Sequence, residues 1–215
     1  MKNIVLIAPP AAGKGSQSEV LASKYNYKHI SIGDLLREEI DNQTEMGIAA
    51  KADIDQGKLT NDELVMKLIK KVLSNAEGPF VLDGYPRTIS QAEKLDELIK
   101  TLNKTIDLAL FFDITEEEAV KRAIGRQGCP TCGRLYNLYE PTLNPKTPGI
   151  CDKCSVELVV RSDDTESTFQ IRYQTFMENT VPLLEYYEKK GILVNIAVKN
   201  TVMETFKEIE KVILW

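Results

Sequence analysis

Five short apolar runs mark the chain, at residues 4–8, 29–32, 80–83, 108–114 and 192–198. Apolar runs of that length suit strands buried on both faces, and helical patterns separate each from the next. Alternating strands and helices predict an α/β fold with a five-stranded parallel sheet wrapped by helices. Helix starts are signalled by a Thr with an acid or amide three places on, the pattern of a capping box. Thr60 with Glu63, Thr88 with Gln91, Thr115 with Glu118 and Thr201 with Glu204 all fit it. Gly57 and Gly191 sit where helices should stop, and Pro182 predicts a kink in the long helical pattern after Asp164.

Two stretches break the alternation. Residues 33–60 read as helical with no strand, an insertion over the sheet edge. Residues 127–160 are rich in Gly, Pro and Cys and lack a helical period, as a small separate lobe would. There is no internal repeat, low-complexity tract or heptad pattern. The predicted division is a core of residues 1–30, 61–126 and 165–215, a helical lobe at 31–60 and a second lobe at 127–164.

Composition narrows the function classes. With 43% hydrophobic and 27% charged residues, the 215-residue chain is of ordinary globular type. A net charge of −5 argues against binding a nucleic-acid backbone. The first apolar run is far too short to span a membrane, and Met1-Lys2-Asn3 leads into it without a secretory signal, which predicts a cytoplasmic protein. Twenty lysines stand against seven arginines. Lysine serves on a solvated face, but a planar guanidinium grips phosphate in a bidentate way, so each of the seven arginines needs an account.

The most informative stretch follows the first run: Ala8-Pro9-Pro10-Ala11-Ala12-Gly13-Lys14-Gly15-Ser16-Gln17. Between a buried strand and a helix, such a loop offers backbone N–H groups and a helix N-terminus to phosphate oxygens, with Lys14 reaching the outer phosphates. It departs from the strict phosphate-loop pattern, beginning with Ala8 and placing its hydroxyl two residues after the lysine. The loop resembles that of the adenylate kinases, Gly-x-Pro-Gly-x-Gly-Lys-Gly-Thr, with Ala8 and Ala11 for glycines and Ser16 for threonine. The two alanines matter wherever a glycine supplied φ > 0.

The resemblance extends along the chain. Ser31-Ile32-Gly33-Asp34-Leu35-Leu36-Arg37 is similar to the family's Ser-Thr-Gly-Asp-x-Leu-Arg, with Asp34 able to cap the next helix. Gly57-Lys58-Leu59-Thr60 resembles the segment lining the acceptor base. Leu82-Asp83-Gly84-Tyr85-Pro86-Arg87 matches a family signature. The resemblance implies an AMP site of Ile32, Arg37, Lys58, Leu59, Thr60, Gly84, Arg87 and Gln91, with Arg161 and Arg172. Ile32 replaces a Thr close to the acceptor base, which removes a hydrogen bond there. Asp83 reads as magnesium-linked together with Ser16, although a strand-end Asp is otherwise a cap.

Arg122-Ala-Ile-Gly-Arg126 matches Arg-x-x-Gly-Arg, and Arg161-Ser-Asp163-Asp164 followed by Arg172 matches Arg-x-Asp-Asp followed by Arg. The resemblance implies that Lys14, Arg87, Arg122, Arg161 and Arg172 are catalytic and surround the transferred phosphoryl group. It places ATP on Pro10, Ala11, Ala12, Gly13, Lys14, Gly15, Ser16, Arg122, Arg126 and Tyr136, and makes Asp163 and Asp164 orient the arginines. Tyr136 has two open readings, a neighbour of the donor nucleotide or a structural aromatic. Arg134 reads as a surface residue and His29, the only histidine, as packing.

Cys129-Pro-Thr-Cys132 and Cys151-Asp-Lys-Cys154, eighteen residues apart, have the spacing of a closed Cys₄ zinc site. Family members from many bacteria carry such a knuckle in the lid. The expectation is a monomeric kinase moving a phosphoryl group from MgATP to AMP and forming ADP, with one structural Zn²⁺ per chain. A UMP- or CMP-directed relative and a catalytically weak nucleotide sensor are the alternatives; a zinc-ribbon nucleic-acid binder fits the charge poorly.

Overall fold

The computed structural model describes residues 1–161 and 164–214. Its centre is a parallel sheet of β1 (Ile4–Ile7), β2 (Lys28–Ser31), β3 (Phe80–Asp83), β4 (Leu108–Asp113) and a last strand at Leu193–Ala197, here β7. Each lies within a residue of its predicted run. The order β2-β3-β1-β4-β7 puts β1 in the middle, and its register sets Leu6 opposite Asp83. The carboxyl ends of β1 and β3 therefore lie side by side, where open α/β sheets hold their ligands.

The period of two along a strand splits the core into two layers. Ile4, Leu6, Val81, Leu110 and Phe112 pack against α1 (Lys14–Tyr25) and α9 (Val202–Ile213), through Leu21, Phe206 and Ile209. Val5, Ile7, Ile30, Leu82 and Ala109 face the other way, onto α4 (Asp62–Ser74), α5 (Ile89–Thr101) and α8 (Pro182–Lys189). Each fully buried Leu, Ile or Phe contributes roughly 1.5–3 kcal/mol relative to exposure. This two-sided burial explains why the strand runs are continuously apolar.

Helix starts follow the predicted chemistry with three corrections. Thr88, Thr115 and Thr201 accept the N3 backbone N–H as expected. The α4 cap is Asn61 rather than Thr60, its Oδ1 accepting from the N–H groups of Glu63 and Leu64. An Asx cap reaches N2 and N3 together, so the helix starts one residue later. Asp34 does not cap α2 (Ile32–Asp41): Ser31 does, and the Asp34 carboxylate pairs with arginines instead. The reciprocal half of the capping box forms at Glu204, whereas Gln91 turns to Arg87 N–H and Asp62, and Glu118 to Arg122.

Gly57 and Gly191 end their helices at φ 69° and 70°. Pro182, lacking an N–H, stands at the start of α8 just after a single π-helical turn at Phe176–Thr180 that follows α7 (Glu166–Thr175). The break is therefore a widened turn that feeds a fresh helix.

The first insertion is a helical hairpin of α2 and α3 (Glu45–Asp55). The second carries an antiparallel ribbon, β5 (Arg126–Gly128) with β6 (Leu135–Asn137), reached from α6 (Glu116–Ile124). It closes over a small core of Cys129, Tyr136 and Cys151. Among the described residues no helix is long and apolar enough to cross a membrane.

The hairpin depends on Gly47. A Cβ there would lie 2.1 Å from the Glu39 carbonyl oxygen. Gly47→Ala is expected to force α2 and α3 apart, costing more than the usual 1–3 kcal/mol of overpacking because the obstacle is backbone. Thermal melts should show the loss. An unchanged melting point would refute this close approach.

Candidate active site

The helix after β1 is unusual at its N-terminus. Most other helices receive a side-chain cap, but α1 begins at Gly13, φ 92°, with none. Its first N–H groups are thus left for a ligand, and the dipole favours an anion there. Lys14 Nζ donates to the carbonyls of Ala8 and Pro9, at 3.1 and 3.2 Å. Burial lowers its pKa to about 8, with Asp83 opposing and Arg87, Arg172 and Arg126 adding to the fall. Of the two alanines that stand for glycine, only Ala11 takes positive φ, at 59°. Its side chain packs beside Ala119, Ala123 and Phe169, which offsets part of that strain.

Pro10 to Ser16 line a cavity of about 760 Å³, and so do Asp83, Arg122, Arg126 and Arg161. The arginines are held apart by carboxylates. Arg126 forms a bidentate pair with Asp164, through Nε at 2.7 Å and through Nη2, and Arg172 Nη1 lies 3.9 Å from the same carboxylate. Asp34 pairs with Arg37 and lies 3.6 Å from Arg161. Arg122 donates to Glu118 and to the Lys199 carbonyl, both at 3.0 Å. Burial brings Arg161 down to about 10, with Arg126 and Arg37 adding repulsion. Arg87 is also lowered, chiefly by burial. Asp163, expected to orient arginines beside Asp164, lies outside the described residues.

A second cavity of about 70 Å³ adjoins the first and is lined by Ile32, Lys58, Leu59, Thr60 and Gln91. Arg37, Gly84, Arg87 and Arg172 line both cavities. Ile32 is 3% exposed and offers only hydrocarbon. The Gln91 amide is already engaged: its oxygen accepts from Arg87 N–H at 2.7 Å and its nitrogen donates to Asp62 at 2.6 Å.

The four cysteine sulfurs lie within 4.8 Å of one another, and Cys132 to Cys151 measures 3.8 Å. Sulfurs about 2.3 Å from a central zinc form a tetrahedron with edges of about 3.8 Å, so the set fits such an ion. The Tyr136 hydroxyl leads the causes that bring Cys151 down to about 6, while hydrogen bonding with Cys132 leads those raising Cys154 to about 12. Four crowded thiols cannot all ionise without a cation among them. Tyr136 lines the large cavity, but its hydroxyl is turned to Cys151 and Asp152.

Sequence comparison matches residues 6–192 to the family model described as adenylate kinase. The chain belongs to the adenylate kinase family. It is similar to adenylate kinases of Methanothrix thermoacetophila, 44% identical over 98% of each chain, and Archaeoglobus fulgidus, 44% over 98% of this chain and 97% of the relative. The adenylate kinase of Acetivibrio thermocellus is 45% identical over 96% of this chain and 95% of its own.

Some site contacts of this kinase escaped the sequence reading. His29 Nε2 lies 3.4 Å from Asp83 Oδ2, a contact that depends on the parallel register of β2 on β3. Thr180 Oγ1 donates to the Arg87 carbonyl at 2.9 Å, joining the π-helical turn to the segment that follows β3. Arg134, expected on the surface, is exposed and rests its guanidinium 5.3 Å from the centre of the Tyr136 ring.

Two outcomes follow for the loop. Ala11→Gly removes about 1–2 kcal/mol of left-handed strain but also about 0.8 kcal/mol of methyl burial. Chemical denaturation should therefore change by no more than about 1 kcal/mol, with turnover retained; a loss above about 2 kcal/mol would contradict the strain.

Lys14 sets a pH limb. Its folded pKa lies below the ordinary value, so its charge opposes folding below about 8, and stability from this group rises between about 8 and 10.5. Phosphate attraction runs oppositely, because it needs the ammonium. In the free enzyme kcat/KM for ATP should fall above pH about 8, and the kcat limb should sit higher because bound phosphates restore the proton. A kcat/KM flat to pH 10 would contradict the lowered pKa.

Proposed function

We propose that this adenylate kinase transfers the terminal phosphoryl group of MgATP directly to AMP, giving two ADP, and runs the reaction in both directions. The observation that carries the reading is the pair of adjoining cavities whose common wall is Gly33, Arg37, Gly84, Arg87 and Arg172. One large and one small nucleotide site with a guanidinium wall between them suits two phosphate chains meeting end to end.

In this reading the α1 N-terminus, the loop backbone from Pro10 to Ser16 and Lys14 hold the donor phosphates. Arg37 and Arg87 grip the acceptor phosphate, and Ile32, Lys58, Leu59, Thr60 and Gln91 surround the acceptor base. Arg122, Arg126, Arg161 and Arg172 face the phosphoryl group in flight, whose charge spreads over three equatorial oxygens. Preorganised guanidiniums stabilise that charge without a covalent intermediate. Asp83 and Ser16 would hold magnesium, which supplies charge neutralisation on the phosphate oxygens when bound. Asp83 fits the part, since its Oδ2 would lie 3.8 Å from a Cβ at Gly15 in the loop.

The proposed division is core, acceptor lobe (31–60) and lid (127–164), the lid stapled by one structural zinc on Cys129, Cys132, Cys151 and Cys154. Lid closure excludes water and protects ATP from hydrolysis. We assign the protein to the cytoplasm as a monomer; thiols spaced for a metal suit a reducing compartment. A pyrimidine monophosphate as acceptor is favoured by one observation, the hydrocarbon of Ile32 facing the acceptor cavity. A coupled assay with MgATP and each of AMP, CMP, UMP and GMP tests the reading. AMP should give the highest kcat/KM; a higher value for CMP or UMP would reassign the acceptor, and no turnover with any would leave a nucleotide sensor.

Arg87→Ala and Arg122→Ala should each lower kcat/KM by about 10²-fold or more, the usual loss when a donor to developing charge is removed. Arg134→Ala should change it less than about threefold, because its guanidinium is spent on Tyr136. Equal losses at Arg134 and Arg122 would overturn the phosphate assignment.

Metal analysis should find about one zinc per chain, the complement of four thiolates. Cys129→Ser should lower zinc retention and melt the lid earlier than the core, which keeps its own packed sheet. Full activity without zinc, with four titratable thiols, would remove the site.

A further inference from the structure

One buried polar group in the lid makes contacts that nucleotide binding does not require. Tyr136 is 2% exposed and sits on β6 among Cys129 and Cys151. Its hydroxyl oxygen accepts from the Asp152 backbone N–H at 2.8 Å. That bond orients the phenol, and its own proton then points to Cys151 Sγ at 3.5 Å. The same sulfur accepts from Cys154 N–H at 3.4 Å. The ring is held in place by the Arg134 guanidinium over its face.

We propose that Tyr136 is a positioning residue of the zinc centre, donating its hydroxyl proton to the Cys151 thiolate. The inference rests on the Cys₄ zinc reading and adds to it a group outside the four ligands. A metal-bound thiolate keeps much of its negative charge, and buried sulfur has no water to solvate it. Donors aimed at the sulfur stabilise the charge and fix the direction from which it meets the ion. The arrangement joins the two halves of the site. Cys151 and Cys154 come from the second CxxC pair, whereas Tyr136 lies on the strand that follows the first, so one hydroxyl ties β6 to the second knuckle. It also gives the buried aromatic of this small core a polar partner, which a buried phenol needs.

The test compares zinc-loaded wild type with Tyr136→Phe and with Val156→Ala, which trims the same small core without touching the hydrogen bond. Zinc transfer to a chromogenic chelator is followed under reducing conditions, and cobalt-substituted samples supply the thiolate-to-metal absorption band. Tyr136→Phe should still bind one zinc but release it about 10- to 100-fold faster, the usual cost of losing an outer partner of a metal ligand. Its cobalt band should shift, whereas that of Val156→Ala should match wild type. Equal release rates for the two variants with unshifted bands would reduce Tyr136 to packing and overturn the proposal. An unchanged release rate with a raised ATP KM would give Tyr136 to the donor nucleotide instead. Wild type that holds no zinc would sink the metal reading together with this inference, and wild-type stoichiometry tells that failure from one confined to Tyr136.

Discussion

Like charges crowded round one cavity dominate this molecule. Arg87, Arg126, Arg161, Arg172 and Lys14 converge on the space above the central strands, and their mutual repulsion adds to the burial that lowers Lys14 and Arg161. Carboxylates keep the set together: Asp164 spans Arg126 and Arg172, Asp34 spans Arg37 and Arg161, and Asp83 faces Lys14. Guanidiniums held in place in this way suit a polyanion.

The scaffold supplies the remaining half of the design. Strand register sets the ends of β1 and β3 together, so the phosphate loop and Asp83 share one edge. The uncapped N-terminus of α1 adds N–H donors that cost no side chain. The two insertions bring Arg37 and Arg126 to one cavity, and the second packs its cysteines into a small core of its own.

Much of the site was legible because its chemistry is local. The loop, the arginine spacings and the paired CxxC motifs each occupy a few consecutive residues whose geometry follows from their element. What misled the reading was competition between neighbours for one backbone group. Asn61 outdid Thr60 at the start of α4 because an Asx side chain reaches two N–H groups. Ser31 capped α2 and freed Asp34 to bind two guanidiniums, a role that depends on Arg161 arriving from far along the chain. Gln91 kept its place after Thr88, yet Asp62 and Arg87 N–H took its amide.

The order of residues alone carried the α/β class, the positions of the five strands, the loop between β1 and α1, the spacing of the clustered cysteines and the family. These rest on periodicity and short-range stereochemistry, which the chain states within a few residues. The pairing of Asp164 with Arg126, the approach of His29 to Asp83, the turn of the Tyr136 hydroxyl toward Cys151 and the wall common to both cavities came from packing. Each joins groups at least 15 residues apart in the chain, so it exists only once the elements that carry them have packed. A side chain with several partners in reach settles on one by distance and burial, and those quantities belong to the folded molecule.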